Sequence, residues 1–170
     1  ESEINSTHNT NHLPLYFKVY VGMRYWNPLI EKAVEQAHKD GVKKLIALNL
    51  YPQYSVATSG SSLSMLREAA SQFSVETSEI PSWFNHPLYI GALVEVIKKG
   101  LESFTPSLTL PPRGGGKGEG DVHILFSAHS LPKKFIDEGD PYVNEIMGTI
   151  DGITKKMEIK WHLSYQSNSG

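Results

Sequence analysis

Short apolar runs alternate with longer segments of helical periodicity along most of this sequence. The apolar runs predict strands at 17–21, 44–50, 75–80 and 159–165, and a further strand that begins at Val122 and contains His129. A helix between consecutive strands is the usual connection between parallel strands, so the pattern favours parallel sheets built from βαβ units. The predicted fold class is therefore α/β.

Four longer amphipathic helices are predicted between these strands. Two begin at a capping residue followed by proline, because Asn27 and Asp140 offer N-caps and Pro28 and Pro141 suit the first helical position. Asp40-Gly41 is expected to end the first of these helices. The other two are expected after a hydroxyl-rich loop at 55–62 and from Pro87 onward.

A single break in composition predicts the domain organisation. Residues 105–120 are rich in proline and glycine and are interpreted as a linker. Residues 1–104 are then the C-terminal part of a first domain, with a disordered tail at 1–15, and residues 121–170 are the N-terminal part of a second. Since the sequence starts without methionine and stops after a predicted strand, we expect it to be a fragment.

Composition excludes several classes of function. The net charge of −2 gives no electrostatic support for nucleic-acid binding. Apolar stretches are all shorter than the roughly 20 residues that span a bilayer. The sequence contains no cysteine, which excludes disulfides, thiolate zinc sites, Cys-ligated iron–sulfur clusters and a cysteine nucleophile in this range. Metal chemistry would have to use histidine, carboxylate or hydroxyl groups.

His129 is the strongest candidate for a functional side chain. The apolar run that precedes it predicts a strand buried on both faces, and ligands collect at the carboxyl ends of such strands in parallel α/β sheets. An imidazole titrates near pH 6.5, so it can accept a proton or bind a borderline metal ion. A purely structural histidine remains an alternative. A pairing with Ser127 or Ser130 as nucleophile is disfavoured, because there is no G-x-S-x-G motif.

Two other strand ends carry residues suited to ligand binding. Residues 22–26 supply an arginine and two aromatic rings, and residues 51–55 supply two tyrosines and a serine. Brought together in a cleft between two units, these groups suit a flat, largely apolar ligand with an anionic tail. Arg24 could hold its carboxylate.

Six blocks of this sequence resemble the ferrochelatase family, in the same order and at suitable spacings. The blocks are Arg24-Tyr25, Tyr51-Pro52-Gln53-Tyr54-Ser55 with Thr58-Ser59-Gly60-Ser61-Ser62, Ile80-Pro81-Ser82-Trp83, Phe126-Ser127-Ala128-His129-Ser130-Leu131-Pro132, Gly139-Asp140-Pro141-Tyr142 and Tyr165-Gln166-Ser167. The resemblance implies two Rossmann-like (flavodoxin- or chelatase-like) parallel-sheet domains, both incomplete here. It also implies a lyase that inserts Fe²⁺ into protoporphyrin IX or coproporphyrin III in haem biosynthesis.

The resemblance also implies roles for individual residues. His129 matches the family's active-site histidine, which binds metal or removes protons from the pyrrole nitrogens. Arg24 and Tyr25 match residues near the porphyrin, and Tyr51, Ser55 and Thr58 fall in a loop at the same pocket. Trp83 and Tyr142 lie in family blocks, and Ser130 could orient the imidazole.

Porphyrin and ferrous iron are the implied partners, with iron as substrate, no organic cofactor, no nucleic acid and no iron–sulfur ligands in this range. Peripheral membrane association and oligomeric state stay open. The implied compartment is the cytoplasm of a bacterium, or a chloroplast or mitochondrion of a eukaryote. The family's pocket tyrosine precedes residue 1 and its glutamate facing the histidine follows residue 170, so we expect this range alone to be inactive. A sirohydrochlorin-type cobalt chelatase and a non-catalytic tetrapyrrole-binding module are the alternatives.

Overall fold

The computed structural model describes residues 17–103 and 122–167. Helices and strands alternate through both ranges, as the sequence predicts. In chain order the elements are α1 (Ile30–Lys39), β1 (Lys44–Leu48), a π-helix (Val56–Gly60), α2 (Ser61–Gln72), β2 (Glu76–Ile80), α3 (Pro87–Ser103), β3 (His123–His129), α4 (Lys133–Asp137), α5 (Tyr142–Thr154) and β4 (Lys160–Gln166). The predicted linker at 105–120 and tail at 1–15 lie outside the described residues.

Two parallel strand pairs confirm the α/β fold class. β1 pairs with β2 in the register Lys44 to Glu76, and β3 pairs with β4 in the register His123 to Lys160. Each pair is joined by helical crossover segments, as parallel pairing requires. Two small parallel sheets with flanking helices are what incomplete Rossmann-like units contain.

The first of two compact units comprises residues up to 48 together with 60–80. Its core forms where the apolar faces of α1 and α2 meet, and it contains Ile30, Val34, Ala69, Ala70 and Val75. Leu45 of β1 packs against this cluster, so the sheet and the two helices share one apolar layer. At the end of α1, Gly41 adopts a φ of +81°, which confirms the predicted stop.

The second unit comprises Asn49–Ser59 and Pro81–Gly170. Its core contains Ile90 and Val94 of α3 and Ile153 of α5, with Phe126 of β3 packed against them. α3 therefore groups with the elements after the predicted linker, although the sequence assigned it to the first domain. The close approach of α3 to Gly152 on α5 accounts for this grouping. The predicted domain boundaries stay a prediction.

The predicted strand at 17–21 is wrong. These residues form no strand in the described part of the chain, and Phe17, Val19 and Val21 are exposed. A period of two fits a strand only where a neighbouring strand accepts its backbone hydrogen bonds, and none of the described strands lies beside this segment.

The predicted start of α1 at Asn27 and Pro28 is also wrong, because the helix begins at Ile30. The Asn27–Pro28 peptide is cis, and the N–H of Met23 donates to the Pro28 carbonyl at 2.8 Å. The N–H of Ile30 then donates to the Met23 carbonyl at 3.1 Å. Residues 23–30 thus close a loop before the helix starts.

β3 is exposed on one face in the described structure, whereas the sequence predicted burial on both. Exposed and partly buried residues alternate strictly from His123 to His129. Ile124, Phe126 and Ala128 face inward, and Phe126 packs against the α3–α5 core. Helices cover only this side of the β3–β4 pair among the described residues. The five-residue helix α4 was not predicted, since it is too short to show helical periodicity.

The side chain of Asp140 caps the start of α5, as predicted. The helix begins at Tyr142, and Oδ1 of Asp140 accepts the Tyr142 N–H at 2.9 Å. Pro141 already has helical dihedral angles, so the start differs from the prediction by one residue, within the usual uncertainty of helix ends. Among the described residues, no helix combines the length and apolar character needed to cross a membrane.

Replacing Gly148 by alanine should destabilise the second unit. A Cβ at this position would lie 2.5 Å from Cε2 of Phe84, so the ring must move and its packing is lost. We expect the free energy of unfolding to fall by about 1–3 kcal/mol, as for other overpacked sites, in urea titrations.

Gly100→Ala is the matched control, since nothing lies within 4 Å of its Cβ position on α3. Alanine there should stabilise by about 0.5–1 kcal/mol through helix propensity. An equal stabilisation by Gly148→Ala would contradict the close packing of Phe84 on α5.

Candidate functional site

His129 is the last residue of β3 and its side chain is exposed. It pairs in register with Gln166 at the end of β4, and the N–H of Ser130 donates to the Gln166 carbonyl at 2.9 Å. The hydroxyl of Ser130, which was expected to orient the imidazole, donates to the Ser167 carbonyl. The two strand ends are therefore tied together directly beyond His129, and the imidazole remains accessible to a ligand.

Tyr142 lies against the backbone of His129. The pKa of its phenol is raised, chiefly because partial burial disfavours the phenolate, and the charges of Tyr165 and Asp140 act in the same direction. A hydrogen bond with the backbone of His129 opposes this shift by lowering the pKa. Tyr142 is therefore a neutral phenol at neutral pH.

Asp140 is the most highly connected polar side chain near His129. It is 8 % exposed, and Oδ2 accepts hydrogen bonds from the Ser55 hydroxyl at 2.9 Å and from the Val56 N–H at 2.8 Å. Its other oxygen caps α5 at Tyr142. The Asp140 carboxylate thus joins residues 55–56 to the start of α5.

α5 contributes two further polar anchors, one turn apart on the same face. Oε2 of Glu145 accepts the Tyr54 N–H at 2.7 Å and the Ser82 hydroxyl at 2.6 Å. The hydroxyl of Thr149 accepts from Nε2 of Gln53 at 2.9 Å. The loop that precedes the π-helix is therefore held along α5 by three side chains, and sequence reasoning identified only one of them.

The predicted loop residues Tyr51, Ser55 and Thr58 belong to the same unit as His129. Tyr51 is exposed and Thr58 is partly buried in the π-helix. Ser55 is fully buried, with its hydroxyl on Asp140 and 3.2 Å from the Ala57 N–H that donates to it. A π-helix often marks a functional segment, because its extra residue changes the direction of the following side chains.

Trp83 supports this loop from the other side. Its indole N–H donates to the Asn49 carbonyl at 2.7 Å, and its ring contacts Tyr89 edge-on with centroids 4.9 Å apart. Its backbone N–H donates to the Pro52 carbonyl at 2.9 Å. These contacts are those of a packing residue.

Arg24 and Tyr25 lie in the first unit and contact each other. Nε of Arg24 donates to the Tyr25 hydroxyl at 2.9 Å, and Nη1 donates to the Ser61 carbonyl at 3.3 Å. The Arg24 hydrogen bond, followed by that of Ser61, lowers the pKa of the Tyr25 phenol. Tyr25 is 80 % exposed, so the pair presents an aromatic ring beside a cation at the start of α2.

A depression of about 300 Å³ lies beside Asp140, between Tyr54 of the loop and Phe135 of α4. Its volume is at the low end of the roughly 300–1,000 Å³ typical of ligand pockets. Within residues 17–103 and 122–167, no group of three or more acidic or histidine side chains is placed to hold a metal ion.

Comparison with known proteins gives a consistent result. The ferrochelatase family model matches residues 2–170. Similar proteins include the ferrochelatases of Geotalea uraniireducens (strain Rf4), 39% identical over 91% of this chain and 46% of the relative, and of Gloeobacter violaceus, 40% identical over 92% and 46%. Ferrochelatase-2, chloroplastic, of Oryza sativa subsp. japonica is 40% identical over 90% of this chain and 29% of its own length. The chain thus spans less than half the length of these relatives.

Removing the Asp140 carboxylate should loosen both segments that it holds. Asp140→Ala leaves the buried Ser55 hydroxyl and the N–H groups of Val56 and Tyr142 without their acceptor. We expect the free energy of unfolding to fall by about 2–4 kcal/mol. Faster amide hydrogen exchange at Val56 and Tyr142 should accompany this loss.

Asp137→Ala is the control, because Asp137 forms only an exposed ion pair with Lys133. It should change the free energy of unfolding by less than about 0.5 kcal/mol. Unchanged exchange at Val56 in the Asp140 variant would contradict the proposed anchoring.

The Arg24–Tyr25 contact makes a prediction about pH. Because Arg24 lowers the pKa of the Tyr25 phenol, Arg24→Gln should move its ionisation to higher pH. The difference in tyrosinate ultraviolet absorbance between the parent and Tyr25→Phe isolates this residue, and repeating it in the Arg24→Gln background measures the shift. An ionisation of Tyr25 that is unmoved or moves to lower pH would contradict the contact.

Proposed function

Because the chain belongs to the ferrochelatase family, we propose that the protein inserts Fe²⁺ into protoporphyrin IX or coproporphyrin III, the metal-insertion reaction of haem biosynthesis. The observation that carries this proposal is the match of the family model to residues 2–170. The activity is assigned to the whole protein, since this chain covers 46% of the length of relatives such as that of Geotalea uraniireducens. The same proposal assigns it to the cytoplasm in a bacterium, or to a chloroplast or mitochondrion in a eukaryote.

His129 is the proposed catalytic residue. Insertion of Fe²⁺ forms iron–nitrogen bonds, releases two pyrrole protons and strips water from the cation. An imidazole can accept such a proton and pass it to water, or it can bind the incoming iron. The His129 side chain is exposed at the end of a parallel strand. This supports either role, because a substrate can reach the imidazole without movement of the strand.

The proposed porphyrin-binding residues are Arg24, Tyr25, Tyr51 and Thr58, with Ser55 in support. Arg24 would pair with a propionate and the exposed rings of Tyr25 and Tyr51 would contact the macrocycle. The burial of Ser55 favours an indirect part, in which its hydrogen bond to Asp140 fixes the loop that carries Tyr51 and Thr58.

Tyr142 and Asp140 are proposed as positioning residues. The phenol of Tyr142 bonds to the backbone that carries His129, and Asp140 caps the turn that carries Tyr142. Together they limit the movement of the strand end, which is what a base or a metal ligand needs to meet its substrate in one geometry.

The decisive experiment uses the full-length protein and its His129→Ala variant. The rate of haem formation from Fe²⁺ and each porphyrin is measured together with porphyrin binding by fluorescence. We expect metalation to fall by at least about 100-fold, the usual scale of general acid–base catalysis, with porphyrin binding retained. A rise in KM for Fe²⁺ at constant kcat would indicate a ligand role, and a fall in kcat at constant KM would indicate a base.

His38→Ala is the matched control, because His38 is an exposed histidine on α1 that contacts Phe73. It should leave metalation unchanged. Activity with Co²⁺ and a sirohydrochlorin-type ring but none with porphyrin would replace the proposal by the cobalt-chelatase alternative. Porphyrin binding without metalation by the unaltered protein would favour the non-catalytic binding module.

A further inference from the structure

Two histidines on neighbouring strands contact each other at the opposite end of β3 from His129. His123 is the first residue of β3 and His162 lies in β4, diagonally across the parallel pair. Nδ1 of His123 and Nε2 of His162 are 2.7 Å apart. Both side chains are exposed. The chemistry proposed for His129 involves neither of them, so it does not account for this contact.

The geometry of the two rings shows that their nitrogen lone pairs converge. The ring planes are 5° from parallel and the centroids are 4.9 Å apart. At the observed nitrogen–nitrogen distance the rings share one N–H···N hydrogen bond, with one ring as donor and the other as acceptor. The two nitrogens that share this proton are those that could bind a cation between the two strands.

We propose that His123 and His162 form a binding site for a borderline divalent transition-metal ion, of the class of Zn²⁺, Ni²⁺, Co²⁺ and Cu²⁺. Imidazole nitrogen is a preferred ligand for these ions. With metal–nitrogen bonds of about 2.0–2.1 Å, two adjacent ligands lie roughly 2.9–3.4 Å apart. The observed 2.7 Å has to widen by a few tenths of an ångström, and the two exposed rings have to tilt so that both nitrogens face an ion beside the present N–N line.

The strand pairing gives this site its rigidity. β3 and β4 are hydrogen-bonded in register along their whole length, so the backbone holds the two Cα positions whether or not an ion is bound. Water molecules would complete the coordination shell from the exposed face. Preorganised ligands reduce the entropy cost of binding, which makes two histidines on paired strands a better site than two on a loop.

Charge and protonation set the limits of the site. Lys160 lies opposite His123 in the register and on the same face, so its ammonium group opposes a bound cation. Protons compete with metal ions for imidazole nitrogen, so metal affinity falls in acid.

His129 lies on the same exposed face but is separate from this site. It lies six positions after His123 on β3, a distance of roughly 20 Å along a strand. One ion therefore cannot bridge them, and the two sites can be removed independently.

The test measures Zn²⁺ binding to the full-length protein without porphyrin, by competition with a chromophoric chelator. His129→Ala is the background, so that binding at His129 is not counted. His123→Gln and His162→Gln should each weaken the remaining Zn²⁺ affinity by at least about tenfold, the scale on which lost contacts lower metal affinity. The double variant should lose more affinity than either single variant, because each single variant keeps one imidazole ligand.

His38→Gln is the control and should leave Zn²⁺ binding unchanged, because His38 lies on α1 in the other unit. A second readout is the Cu²⁺ electron paramagnetic resonance spectrum, in which the nitrogen splitting should report two equivalent ligands and lose one in either variant. Unchanged Zn²⁺ affinity in both single variants, or an equal loss in His38→Gln, would overturn the proposal.

Discussion

The buried carboxylate of Asp140 is the constraint on which the candidate site depends. An ionised carboxylate is costly to bury unless hydrogen-bond donors replace its water, and Asp140 has three donors from two segments of the chain. Two of them belong to the loop at 55–56 and the third is the N–H of Tyr142. The bond from Tyr142 is local, whereas the two from residues 55 and 56 can form only when the loop and the start of α5 are both in place. The loop and the start of α5 therefore stabilise each other.

α5 acts as a template for segments distant in the sequence. Asp140, Glu145 and Thr149 contact residues 53–56, and Gly148 and Gly152 admit Phe84 and Ile90. Polar side chains that bind other segments and glycines that admit apolar side chains thus occur together in this region. The two kinds of residue have different roles. The anchors specify which backbone groups lie where, since an unpaired buried donor is costly. The glycines let the neighbouring apolar side chains approach closely enough to exclude water.

Much of the fold could be predicted because its signals are local. Periodicity located β1 to β4 and the longer helices, and the Asp140-Pro141 cap was recognisable from two adjacent residues. The errors concern long-range partners. Residues 17–21 alternate like a strand but have no described neighbour, and one face of β3 lacks a covering helix. Glu145 and Thr149 were missed because their partners lie about 90 residues away along the chain, where no spacing rule connects them. The position of His129 at a strand end was predictable, whereas the network that holds that end was not.

The exposed face of β3 carries two kinds of histidine environment, and the difference between them follows from the strand itself. At its carboxyl end the pairing of β3 with β4 is closed by Ser130, and the exposed His129 is in register with Gln166 rather than with another histidine. At its amino end the register places His162 diagonally across from His123, so the two rings meet. His123 and His129 lie on one face because side chains alternate with a period of two. They are the first and last residues of the strand, so its full length separates them. The exposed face of one strand therefore carries a single imidazole at its carboxyl end and a pair of contacting imidazoles at its amino end.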